Sequence, residues 1–325
     1  MILERRRFLS LAAGAAALPV ASRIASAEAY PTRPVHMIVG FATGGAGDLT
    51  ARLICQSLQE RLGQPVVVEN RPGAGGNIGT EVVVRAAADG YTLIWAGGNH
   101  AINATLYPNL KYNFIRDIAP VAGAMRGPLV MVVNPAVPAN TVTEFIRYAK
   151  SNPGKINMPS PGNGSTGHLA GELFKMMAGV EMVHIPYRND GAARADLMAG
   201  QVQVMFANLL TVIEHIREGR LRALAVTTAA RSQALPDLPT VADTLPGYEA
   251  SAWFGVGAPK ATPADVIAIL NKEINACLTE PGLTSRLAAL GNVPMVFSPG
   301  EFGAFIVAET EKWGKVVKFS GAKLD

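Results

Sequence analysis

Apolar positions along this chain switch between two periods. Residues 35–41 form a short, nearly unbroken apolar run, too brief for an ordinary helix, and predict a strand covered on both faces. Beyond a glycine-rich turn, Leu49, Leu53, Ile54, Leu58 and Leu62 recur at helical spacing, with Arg52, Gln56, Gln59 and Arg61 on the wet side and Asp48 as the expected cap. A strand over 65–69, a loop over 70–79, a helix to Ala88, a turn at Asp89-Gly90 and a strand over 91–96 continue the alternation. Strands alternating with helices at this spacing predict a parallel sheet with crossover connections, and ligands gather beyond the carboxyl ends of such strands. Two such ends, near Ala42 and near Asn99, are candidates for one site.

The pattern restarts at about Leu129, which suggests a second domain. A strand over 129–134 leads to Thr141-Val-Thr-Glu144, a capping box opening a helix that Asn152-Pro-Gly154 ends. The next strand, over 156–160, enters a loop at 161–169, and Leu169, Leu173, Met176 and Met177 then mark one face of a helix. Strands over 182–186, 202–206 and 221–228 complete the unit. The proline-rich stretch 235–246 reads as a rigid connection back, and Thr262-Pro-Ala-Asp265 and Ser298-Pro-Gly-Glu301 open two late helices.

Two of the loops share one chemistry. Gly44, Gly45 and Gly47 let the backbone approach a ligand in front of a helix start, whose free N–H groups favour an anion. The 161–168 loop repeats this with its own glycines, with hydroxyls from Ser160, Ser165 and Thr166, and with a second helix start. Cys55 and Cys277, both on expected helices, read as buried small hydrophobes, their pairing left open. His36 and His184 fall in strands and read as satisfied core residues, His215 as lying on a solvated helix face, and His168 is balanced between ligand contact and helix capping.

Glu4-Arg5-Arg6-Arg7-Phe8-Leu9 before a mild alanine-rich segment, with small-residue cleavage candidates at Ala27 and Ala29, reads as an export signal of twin-arginine type. Four of the 29 basic and one of the 25 acidic residues lie before residue 28, so the net charge of +4 falls to about +1 in the mature chain. That charge gives no footprint for nucleic acid or a membrane surface, and no apolar run of transmembrane length follows the signal.

Seven segments in order carry a resemblance: Val39 to Asp48 with its Phe-x-x-Gly-Gly-x-x-Asp pattern, Asn70-Arg-Pro-Gly-Ala-Gly-Gly-Asn-Ile-Gly79, Asp89-Gly-Tyr-Thr-Leu93, Gly162-Asn-Gly-Ser-Thr-Gly-His-Leu-Ala-Gly-Glu172, Leu221-Arg-Ala-Leu-Ala-Val-Thr227, Leu235-Pro-Asp-Leu-Pro-Thr-Val241 and Trp253-Phe-Gly255. Over essentially its whole mature length the chain resembles the solute-binding receptors of tripartite tricarboxylate transporters, often called Bug-type receptors. The resemblance implies an α/β, two-lobed periplasmic binding protein, type II-like, each lobe a mainly parallel sheet flanked by helices with a cleft between. It implies lobes of 28–128 with 247–325 and of 129–246. It also implies a small carboxylate as ligand, membrane permease subunits as partners, a monomer in the periplasm, and neither enzyme activity nor cofactor. The expected binding set is Phe41, Ala42, Thr43, Gly44, Gly45, Asp48, Gly98, Asn99, Ser160, Gly164, Ser165, Thr166, His168, Tyr187, Asn208 and Phe254.

The family usually has Phe-Asp-Asn where this chain has Phe206-Ala-Asn208, and Pro-Tyr-Lys-Gly where it has Pro186-Tyr-Arg-Asn189 before Asp190. If Ala207 faces the cleft, the missing carboxylate predicts a preference for non-amino carboxylates over aspartate or glutamate. The Arg188 to Asp190 change bears on lobe contacts or on the pocket rim. Two alternatives share these residues: a carboxylate sensor, and a hydrolase using Ser165 and His168. The sequence around Ser165 lacks the leading glycine of a nucleophile elbow, and no P-loop lysine, complete dinucleotide fingerprint or metal-ligand cluster is present.

Overall fold

The computed structural model describes residues 30–321; the export signal lies outside the described residues. Strand β1 (Val35–Val39) pairs in parallel with β2 (Val66–Asn70) on one side and β3 (Thr92–Gly97) on the other. The crossovers are α1 (Ala46–Leu62) and α2 (Asn77–Val84), the latter ending short of Ala88. In α1 the buried face is Ala51, Ile54, Cys55 and Leu58, while Leu49 stands 43% exposed on the opposite side. Cysteine and alanine, not the first leucine, mark the inner stripe.

After α3 (Gly98–Leu106) and the single turn α4 (Phe114–Asp117), the chain enters β4 (Ile118–Val133), one uninterrupted strand of 16 residues. The sequence predicts a strand only from Leu129, because Pro120, Gly123, Gly127 and Pro128 argue against one earlier. Register shifts between Pro120 and Ala122 and between Gly123 and Met125 absorb two of these interruptions. The second half of β4, Leu129 to Val133, leaves β9 and pairs with strands from the middle of the chain.

There the chain forms α5 (Val142–Ser151), β5 (Asn157–Ser160), α6 (Thr166–Ala178), β6 (Val183–Pro186), α7 (Asp190–Met198), β7 (Val204–Asn208), α8 (Leu209–Arg217) and β8 (Arg222–Val226). Strands β7 and β8 flank β4 antiparallel, and β5 and β6 form a parallel pair. Strand β9 (Ser251–Pro259) returns to the first lobe, antiparallel to both β3 and β4. The chain ends through α9 (Ala264–Leu278), α10 (Pro281–Ala289), β10 (Val293–Pro294) and α11 (Pro299–Ser320).

The fold is thus α/β and two-lobed, but its sheets are mixed rather than mainly parallel. One strand leaves the first lobe and another comes back, so β4 and β9 run in opposite directions. Where they cross, Thr227 joins them: its N–H donates to the Leu129 carbonyl at 3.0 Å, and its carbonyl accepts from the Ala250 N–H at 2.9 Å. Helix α11 starts at the expected Ser298/Glu301 capping box and lies along α3 while also touching α6. Its buried Glu309 accepts from Trp253 Nε1 at 3.0 Å and Trp313 Nε1 at 2.9 Å.

Both cysteines are buried free thiols. His36 is not a core residue; its half-exposed ring lies 2.6 Å from Glu69 Oε1. His215 is half-buried with no partner at Nδ1, not solvated as expected. Among the described residues no helix is long and apolar enough to cross a membrane, and no group of three His, Cys, Asp or Glu is placed to hold a metal ion.

Candidate functional site

A cavity of about 750 Å³ lies between the lobes, within the range of small-molecule sites. Its first wall is the turn between β1 and α1. Gly44 takes φ +80°, which a side chain resists, and its N–H donates to Asp48 Oδ2 at 2.9 Å. Asp48 is therefore not the helix cap, a place taken by Gly45; it is a buried anchor beneath the turn. Its Oδ1 also accepts from Arg52 Nε at 2.9 Å and Asn70 Nδ2 at 3.0 Å. Burial raises the carboxyl pKa, yet these donors outweigh burial and hold it below the usual carboxylate value. Asp48 shapes the loop and does not line the cavity.

The second wall was missed by sequence reasoning. Residues 73–76 all take positive φ, Ala74 included at +48°. Asn99 Nδ2 at 2.7 Å and Asn103 Nδ2 at 3.0 Å both hold the Gly75 carbonyl. This loop leaves the carboxyl end of β2, beside β1 in the parallel sheet, and that placement is the signal that could have found it. Pro72, Tyr107 and the Gly73 to Gly76 run line the cavity with Asn99.

The third wall comes from the other lobe. Ser165 caps α6, its Oγ accepting from the His168 N–H at 3.3 Å. Thr166 and Gly167 follow in its first turn, whose N–H groups have no intrahelical acceptor. His168 is 4% exposed and faces inward: Nδ1 accepts from the Gly164 N–H at 3.2 Å, and the ring stacks on His184 at 3.7 Å. Neither ring nitrogen bonds Ser165, so the pair lacks the base-to-hydroxyl contact a hydrolase needs. Ser160 Oγ lies 2.6 Å from His184 Nε2, buried behind the loop.

Of the expected set, Phe41, Ala42, Thr43, Gly44, Gly45, Asn99, Gly164, Ser165, Thr166, Asn208 and Phe254 line the cavity. Asp48, Gly98, Ser160, His168 and Tyr187 do not. Gly98 meets the other lobe instead, and Tyr187 Oη donates to Asp196 Oδ2 at 2.6 Å. The floor is apolar: Phe41 stands edge-on to Phe254 at 5.7 Å, which stacks on Trp95, with Phe206 and Leu129 nearby. Arg188, Asp190 and Arg194 also line the cavity. Ala207 does not; it is 1% exposed, paired across the sheet with Val130 in a buried cluster that includes Leu209 and Val212, so its side chain says nothing about the ligand.

Comparison with known proteins gives the chain's family and bears out its fold. Residues 50–322 match the profile of the tripartite tricarboxylate transporter family receptor. Protein BugT of Bordetella pertussis is 41% identical over 302 residues, covering 92% of this chain and 93% of BugT. Among solved structures, R. palustris Rpa4515 with adipate superposes with a TM-score of 0.87 at 39% identity, over 91% of this chain and all of that one. MatC (Rpa3494) from Rhodopseudomonas palustris with bound malate gives 0.83 at 32% identity, over 89% of this chain and all of that one.

Proposed function

The chain belongs to the tripartite tricarboxylate transporter receptor family, and on that premise we propose that it captures a small carboxylate in the interlobe cavity and delivers it to a membrane permease. The observation that carries this reading is the pair of helix starts, Ala46-Gly47 on one wall and Thr166-Gly167 on the other, both bordering the same cavity. Backbone donors from both walls border that space, over an apolar aromatic floor. A carboxylate accepting such charge-assisted bonds gains about 1.5–3 kcal/mol from each. The adipate and malate of the two solved relatives are carboxylates of this kind.

We place the lobes at 28–128 with 247–325 and at 129–246, because the chain crosses at Leu129 and again before Ser251. The cavity residues act as binding groups, not catalysts, on a monomer exported to the periplasm with its signal cleaved near Ala27. A thermal-shift screen of the mature protein against mono- and dicarboxylates tests the reading. A ligand at 100 times its dissociation constant adds about 2.7 kcal/mol of stability. If no carboxylate raises the midpoint, the reading fails.

A further inference from the structure

The loop at 161–165, which lines the cavity ahead of α6, contains two glycines at positive φ, Gly162 at +129° and Gly164 at +76°. Glycine leaves the backbone free to take many shapes there, so something else must fix it. The ties come from behind. Ser160 Oγ accepts from the Gly162 N–H at 3.2 Å and lies 2.6 Å from His184 Nε2. His168 Nδ1 accepts from the Gly164 N–H at 3.2 Å, and the two imidazoles stack 3.7 Å apart, inclined by 12°. Both glycines are thereby fastened to one pair of rings, neither of which borders the cavity. An Nδ1 that accepts an N–H carries no proton, so His168 is neutral with its proton on Nε2, which lies 3.8 Å from Glu172 Oε1. Burial opposes protonation of either ring.

We propose that His168, backed by His184, is a positioning residue for ligand binding: it holds the Gly164 peptide so that the N–H groups of Thr166 and Gly167 are set for the anion, and it never touches that anion. The inference rests on the carboxylate-receptor reading above and deepens it. Ser165 caps α6 by accepting from the His168 N–H, and the His168 ring reaches back past it to Gly164. That is a capping box stretched by one residue, with an imidazole where glutamate or glutamine is usual. The tie sits two residues ahead of the donors and at the contact with the opposite wall, since a Cβ on Gly164 would stand 2.5 Å from Leu106 Cδ2 and 3.2 Å from Asn103 Oδ1. Donors held in place before the ligand arrives need no ordering on binding, whereas a loose glycine loop does, and its affinity is lower by that cost. The stack on His184 fixes the plane of the His168 ring, and with it the direction of the accepting lone pair.

His168→Leu and His168→Asn both remove the ring stack, but only the asparagine brings an acceptor, its amide oxygen, to the place of Nδ1. Calorimetry with adipate on the mature, folded variants therefore separates positioning from packing. The leucine variant binds adipate about tenfold more weakly, equivalent to about 1.4 kcal/mol, and the asparagine variant recovers most of that loss. Without ligand, the Gly164 amide exchanges slowly with solvent in the wild type and the asparagine variant and fast in the leucine variant. Nitrogen NMR of the wild type shows His168 protonated at Nε2 alone. A leucine variant within about twofold of wild type, equal losses in the two variants, equal Gly164 exchange in all three proteins, or a proton on Nδ1 overturns the inference and leaves the receptor reading intact. Should the leucine variant fail to fold, an asparagine variant about tenfold weaker than wild type overturns it just as well. If no carboxylate binds the wild-type protein, both fall.

Discussion

A methyl group on Gly98 would stand 2.8 Å from Thr166 Oγ1, so these two residues meet across the cleft at less than van der Waals distance for any larger side chain. Gly98 opens α3 in the first lobe and Thr166 opens α6 in the second. Alanine is the better helix former, so Gly98→Ala leaves the first lobe's own stability nearly unchanged. It props the lobes apart instead. We expect adipate affinity to fall about tenfold or more, about 1.4 kcal/mol, and the decrease in radius of gyration that small-angle scattering is expected to show for the wild type on adding adipate to shrink. Unchanged affinity in the variant, or superimposable wild-type curves with and without adipate, would count against closure around this contact.

Thr227 ties the two crossing strands through its side chain as well as its backbone. Its buried hydroxyl lies 2.6 Å from the Ala250 carbonyl and 2.9 Å from that of Leu129. Thr227→Val keeps the shape and removes the hydroxyl, leaving a buried carbonyl short of a donor at a cost of about 1–3 kcal/mol. For a chain of this size the melting midpoint drops by several degrees. A midpoint within one degree of wild type would mean the hydroxyl has no role in holding the crossing.

The glycine turns and several helix starts were legible because each has a local cause: Ser298 and Thr141 cap where expected, and the apolar runs at 35–41 and 91–96 contain β1 and β3. What was hidden depends on distant partners. The first half of β4 reads as broken until β9 pairs with it, and only that pairing shows how register shifts absorb Pro120 and Gly123 while Gly127 and Pro128 pair without one. His168 carries the polarity of a binding residue, but its partners Gly164 and His184 turn it inward. The Gly73 to Gly76 wall depends on Asn99 and Asn103, some 25 residues away in sequence, holding one carbonyl.

Three histidines, His100 and His168 buried and His184 half-buried, make the fold sensitive to acid. Burial pushes His168 down to about 3, with His184 and Lys175 adding to it, and pushes His184 and His100 down to about 4. In the unfolded chain each titrates near 6.5. Above that pH both states are neutral and their stability is intact; from pH 6.5 down to about 4 the unfolded chain binds protons that the fold refuses, and stability falls. The loss is on the order of 2 kcal/mol per histidine at the acid end of that window. Urea midpoints should decline from pH 7.5 to 4.5, and His184→Gln should decline less steeply. Parallel slopes for the two proteins would rule the histidine out as a source.

Ala207 gives the sharpest contrast between sequence and structure. Its place in a motif where the family resemblance leads one to expect aspartate suggests a lost ligand contact, and restoring the carboxylate would then favour amino-acid ligands. Strand alternation decides otherwise: Phe206 and Asn208 line the cavity, so Ala207 points to the opposite face, into the buried cluster that holds Val130, Leu209 and Val212. An aspartate there is a buried charge without a partner, which either stays ionised at a penalty of several kcal/mol or takes up a proton. Ala207→Asp is therefore expected to lower stability by about 3–5 kcal/mol and to bring no gain in aspartate or glutamate binding. Chemical denaturation beside calorimetry with aspartate checks both parts, and a stable variant that binds aspartate more tightly than wild type would return residue 207 to the cleft.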